Sequence, residues 1–175
     1  MGRPLALAAL LLLAAGPDDA AWLARGGAAV APLKRELKAA LEEALARGGP
    51  EAAIDVCRLR APQLAARASS PLVRVGRTSD RLRNPANAPA PWMEPLLAVY
   101  RSAPEDRAPR IVHLPGGGVG YAEPIVIQPL CLSCHGEALA PALRERLAER
   151  YPEDRATGYR VGDFRGLVYA EFAKP

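Results

Sequence analysis

Residues 131–135 read Cys-Leu-Ser-Cys-His, and this pentapeptide restricts the chain more than any other feature. Two thiols three residues apart, with an imidazole beside the second, suit few chemistries. Both thiols can form thioethers to the two vinyl groups on one edge of a porphyrin. The adjoining His then lies under that edge and reaches the iron as proximal ligand. A Cys₃His zinc site would combine Cys131, Cys134, His135 and Cys57. A redox dithiol would use Cys131 and Cys134 alone. The zinc site lacks a second paired-ligand knuckle, and the dithiol lacks a βαβ context. With three cysteines and two histidines among 175 residues, the match arises by chance on the order of once in a thousand chains. The sequence points to one covalent haem c on Cys131 and Cys134, with His135 on the iron.

A second iron ligand has three candidates: Cys57, Met93 and His113. Each also has an ordinary role. Cys57 lies on an apolar helical stripe and suits a small core residue. Met93 follows Trp92 and suits a core. His113 sits in a strand beside apolar neighbours, as a satisfied core histidine does. Two observations favour Cys57. It accounts for the odd thiol in an exported protein, and Pro62 can bend its helix around a flat cofactor. The haem propionates need cations, and Arg77, Arg81 and Arg83 flank the Asn84–Asn87 loop. A solvated basic loop explains the same arginines equally well.

The N-terminus reads as a targeting signal. Arg3 precedes an apolar run from Leu5 to Ala15, which is too short to span a bilayer. Residues 1–20 are expected to be a signal peptide. Its cleavage site is ill defined because Pro17 and Asp18 spoil the nearest candidates, and an uncleaved anchor is the alternative. No Cys follows the run to carry a lipid. Nothing later could cross a membrane. The expected location is the periplasm or another exported compartment. The net charge of +4 comes from arginines spread along the chain, which argues against nucleic-acid binding.

Residues 31–175 are expected to form one domain. Leu33, Leu37, Leu41 and Leu45 predict a helix over residues 32–47, stopped at Gly48-Gly49. Pro50 opens a second helix to about Arg67, with Ile54, Cys57, Ala61 and Leu64 as its stripe. Pro62 predicts a kink just after Cys57. Strands are expected at 72–77, 110–114 and 119–127, the last two joined through Pro115-Gly-Gly-Gly118. Short helices are expected at 92–101 and 139–150. Tyr159–Val161 and Phe164–Phe172 read as a terminal hairpin, with Phe164, Val168, Ala170 and Phe172 on one face. Helices first and an antiparallel sheet later make the class α+β.

The blocks AIDVCRLRAPQLA, VGRTSDRLRNPANAP, YAEPIVIQPLCLSCHG and YPEDRATGYRVGDFRG span most of residues 52–172. Together they resemble the exported single-haem c-type cytochrome family with a PAS-like fold. That family occurs both free-standing and as sensor regions of signalling proteins, largely without assigned function. The resemblance implies a PAS-like antiparallel sheet behind N-terminal helices, with haem c held against it. It also implies that Cys57 ligates the iron opposite His135. The function expected is a redox or small-ligand sensor, or a small electron carrier. Its partner would be a redox or signalling protein, and CO or NO a fitting small ligand. No nucleophile–base pair or phosphate loop is present, so no enzyme is expected. A peroxidase-like haem enzyme with an open iron and a Cys/His zinc module are the alternatives.

Overall fold

The computed structural model describes residues 17–174, so the apolar run at 5–15 lies outside the described residues. Among the described residues, no helix is long and apolar enough to cross a membrane. Helix α1 (Pro17–Asp55) begins well before Pro32, where the sequence pattern placed a start. Asp18 and Asp19 in its first turn favour the positive helix end. Gly26 and Gly27 lie inside this helix. A Cβ at Gly26 would meet the Tyr121 ring at 2.1 Å, so glycine lets α1 lie close on the sheet. The expected break at Gly48-Gly49 is present. Gly49 takes φ +67°, a conformation that favours glycine, and redirects the chain into the second half of α1.

The expected distortion near Pro62 takes the form of a π turn (Val56–Arg60), followed by α2 (Ala61–Ala68). The Ala61 N–H donates to the carbonyl of Val56, five residues back. Widening the turn removes the clash of the Pro62 ring with the Arg58 carbonyl. Cys57 sits within this turn.

The sheet comprises β1 (Val73–Thr78), β2 (Arg110–His113), β3 (Val119–Val126) and β4 (Phe164–Phe172). Its order is β1-β4-β3-β2, with every pairing antiparallel. The class is therefore α+β, as expected. The 110–127 hairpin forms as read. The terminal hairpin does not. Both edges of β4 are taken, by β1 and by β3, so Tyr159–Val161 is left to pair elsewhere. Tyr159 N–H donates to the His135 carbonyl (2.9 Å), and Gly158 N–H to that of Gly136 (3.0 Å).

Three layers result. Val30, Leu33 and Leu64 of α1 and α2 pack on one sheet face against Val75, Tyr121, Val168 and Phe172. Helix α3 (Glu94–Ser102) covers the other face with Leu96, Leu97 and Tyr100 against Ala122, Phe164 and Leu167. Phe164 thus lies on the opposite face from Val168, contrary to the alternation expected. The cause is a bulge: Ile125 pairs with Gly166 and Val126 with Phe164, which leaves Arg165 as the extra residue. Helix α5 (Pro141–Arg150) packs Leu143 and Leu147 on Ile54 of α1.

Candidate functional site

One cleft opens at the sheet end where β1 finishes and β4 begins. It encloses about 1180 Å³ of space, its open mouth included. Leu41 and Leu45, the second half of the α1 stripe, line it with Ile54 and Cys57. The motif residues come from another direction. Pro129–Cys131 forms a single tight turn that leads into α4 (Leu132–His135). Cys131, Cys134 and His135 thereby reach the same cleft as Cys57. All three thiols are free. Among the described residues, no three His, Cys, Asp or Glu side chains converge on a common metal position. A tetrahedral zinc site needs that convergence. A haem c site does not, because its two thioether sulfurs stand apart from the iron. The donor set fits the haem reading.

His135 is held in one tautomer. Its Nδ1 lies 2.6 Å from the Ala156 carbonyl, which can only accept, so Nδ1 carries the proton. The Nε2 lone pair is left for a metal. Burial, then the charges of Arg83 and Arg165, push the imidazole pKa down to about 3. The ring is neutral, as a ligand must be. Burial also raises the Cys134 thiol.

The three ligand candidates separate in space. Cys57 lines the cleft. Met93 is fully buried under the other sheet face with α3. His113 is exposed at the end of β2, its Nε2 2.9 Å from Asp19 Oδ1. Neither of these two lines the cleft.

The arginines separate as well. Arg77 on β1 faces the cleft. Arg81 does not line it. Its guanidinium donates to the carbonyls of Arg155 and Thr157 and lies over the Tyr159 ring, 4.2 Å from the centroid. Arg83 lines the cleft, but its N–H groups are engaged by Asp154 (3.0 Å) and by the carbonyls of Cys134 (2.6 Å) and Ala156 (3.3 Å). It ties the motif helix to the loop that holds His135. Asp154 Oδ1 accepts from Ala156 N–H at 2.8 Å. Asp154 was chemically silent in the sequence because the cation it pairs with, Arg83, lies far away along the chain.

Residues 28–172 match the family described as Tll0287-like. The chain belongs to that family. The resemblance read from residues 52–172 is thus borne out. The chain is also similar to a solved structure, "Crystal structure of the cyanobacterial heme-protein Tll0287". The identity is 25%, covering 90% of this chain and 96% of that one, with a TM-score of 0.63. Among curated proteins, none matches.

Sequence reasoning on this Tll0287-like chain missed Arg165 and gave Tyr151 no chemical role, and both line the cleft. Regular alternation would carry Arg165 away from it. The bulge turns the residue in, and Gly166 makes the bulge feasible. At φ +151° a Cβ there would meet the Thr78 carbonyl oxygen at 2.2 Å. A glycine inside a strand pattern is the signal that could have revealed this. The Tyr151 phenol pKa is raised to about 12, chiefly by burial.

Proposed function

We propose that this chain is an exported monohaem c-type cytochrome that acts as a redox or small-ligand sensor or a small electron carrier, and not as an enzyme. The observation that carries the reading is the state of His135: neutral, Nδ1 committed to Ala156, Nε2 available. That is the tautomer a ligating histidine needs. Cys131 and Cys134 supply the two thioether sulfurs from the same short segment. Cys57, on the wall formed by the π turn, would supply a thiolate as the iron's other protein ligand beside the His135 nitrogen. The solved cyanobacterial relative is a heme-protein, which supports the same assignment. Haem c held here supplies reversible one-electron chemistry at iron.

The residues set the character of that chemistry. A coordinating thiol gives up its proton, so Cys57 contributes negative charge and favours ferric iron. Its position on a π turn favours sensing over simple electron carriage, since such turns recur at functional sites. Cys57 would be the residue whose binding couples the helix to the haem, and CO or NO is the class of small ligand such a site would take. The apolar run at 5–15 supports a periplasmic or otherwise exported location, with a redox or signalling protein as partner. The test is expression with c-haem maturation. Haem staining after denaturing electrophoresis should give a band at the protein's mass, lost in C131S/C134S. Spectra of both oxidation states, with and without CO, should show CO binding in the ferrous state alone. Stoichiometric zinc without haem would overturn the reading. So would a hydrolytic or transferase activity that survives C131S/C134S.

A further inference from the structure

The cleft holds positive charge that no acid of its own lining answers. Arg77, Arg83 and Arg165 line it, and no Asp or Glu does. Arg83 is matched by Asp154. The Arg77 guanidinium makes no hydrogen bond or ion pair with any described residue, and the sulfur of Cys57 is the nearest source of opposing charge. Arg165 donates one N–H to the Arg81 carbonyl (3.2 Å), and the Tyr159 ring centroid lies 5.5 Å from its guanidinium carbon. It has no carboxylate partner. Burial lowers the pKa of both, and repulsion from Arg83 and then Arg77 further lowers that of Arg165. Holding two half-buried guanidinium groups beside one another in this cleft without a carboxylate between them is costly. An anion bound in the cleft removes that cost. The strand geometry is also built for it. Regular pairing would point Arg165 elsewhere, and a bulge that only Gly166 permits turns it inward.

We propose that Arg77 and Arg165 form a two-point site for paired carboxylates, the two propionates of the haem, and that Arg81 and Arg83 take no direct part in it. The proposal rests on the haem reading above. Cys131, at the end of the 129–131 turn, and Cys134, in α4, would hold one edge of the macrocycle. The propionates leave a different edge, and the two arginines approach from β1 and β4, elements other than α4. Guanidinium groups meet carboxylates through paired, charge-assisted hydrogen bonds, which a single ammonium reproduces only in part.

The test uses the haem-loaded protein and the variants R77Q, R165Q, R77K, R165K and R81Q. Two readouts apply: the propionate bending band in resonance Raman spectra and the midpoint potential. R77Q and R165Q should keep their covalent haem, shift the band and lower the potential, because a cation near the iron has gone. The Lys variants should recover the potential but only part of the band position. R81Q should match wild type. Should a Gln variant fail to yield loaded protein, the band shift expected in its Lys counterpart carries the test. With haem in place, an unshifted band in both Arg77 and Arg165 variants overturns the proposal, as does an equal shift in R81Q. A change in the wild-type spectrum on adding succinate would make this a site for a free dicarboxylate and overturn the propionate assignment. Absence of covalent haem from wild type overturns the haem reading itself.

Discussion

Replacing Asp154 by Ala removes the acid from a nearly dry ion pair. The side chains of Arg83 and Asp154 are 12% and 9% exposed, so water can replace little of what is lost. Breaking a buried pair from one side costs about 3–5 kcal/mol, because the remaining charge is stranded. Arg83 still has the carbonyls of Cys134 and Ala156, which draws the figure to the low end. The Ala156 N–H also loses its acceptor, for about 1 kcal/mol. The sum is roughly 4 kcal/mol. For a domain of this size each kcal/mol moves Tm by about 2–4 °C, so the variant should melt roughly 8–16 °C lower. Urea unfolding followed by circular dichroism measures the loss directly. D154N keeps one acceptor oxygen and should lose about half as much. If D154A unfolds within about 1 kcal/mol of wild type, the pair is not a structural clamp and the account of how His135 is held is wrong.

Three further outcomes are expected. Cys57→Ala should retain covalent haem, lose a thiolate-type ferric spectrum and show a raised potential. Coincident ferric spectra of C57A and wild type would assign the ligand elsewhere. Tyr100 is buried, and its phenol pKa is pushed up to about 12, chiefly by that burial. Its folded-state pKa lies above the unfolded value near 10, so the stability it contributes is intact below pH 10 and is lost as pH rises through 12. Absorbance at 295 nm should record a late tyrosine ionisation whose amplitude Tyr100→Phe lowers by one tyrosine, Tyr121, Tyr151 and Tyr169 also ionising late; if all five tyrosines titrate together near pH 10, the burial argument fails. Gly166→Ala sets a Cβ 2.2 Å from the Thr78 carbonyl oxygen at a φ of +151°, so urea unfolding should register a loss of at least about 2 kcal/mol. An unchanged urea midpoint would show that the bulge tolerates a side chain.

Local chemistry was legible where the residues that cause it are neighbours. The haem-attachment spacing, the break at Gly48-Gly49, the turn at 115–118 and the disturbance upstream of Pro62 each depend on a few adjacent residues. The same holds for the stripe from Leu33 to Leu45, although its two ends serve different purposes: Leu33 enters the core and Leu45 lines the cleft. Long-range pairing was not legible. Phe164–Phe172 has the pattern of a hairpin strand, but its last residues meet Val119 and Val73, distant in the chain, and those ladders displace the local partner.

The sequence by itself determined the chemistry the chain can offer: two thiols and an imidazole at fixed spacing, a third thiol on an apolar stripe, and a proline that must distort the helix carrying it. Tertiary structure decided which groups share a site. Met93 and His113 resembled Cys57 as ligand candidates until packing buried one under the far sheet face and left the other at an exposed strand end. Arg77, Arg81 and Arg83 looked alike until the fold supplied carbonyls to Arg81 and an acid to Arg83. Arg165 looked like any strand residue until one bulge reversed its direction. Residue type and spacing fix what a side chain can bond. What it does bond depends on which partners the rest of the chain brings within reach, and on burial, which makes an unpartnered charge too costly to leave without a counter-ion.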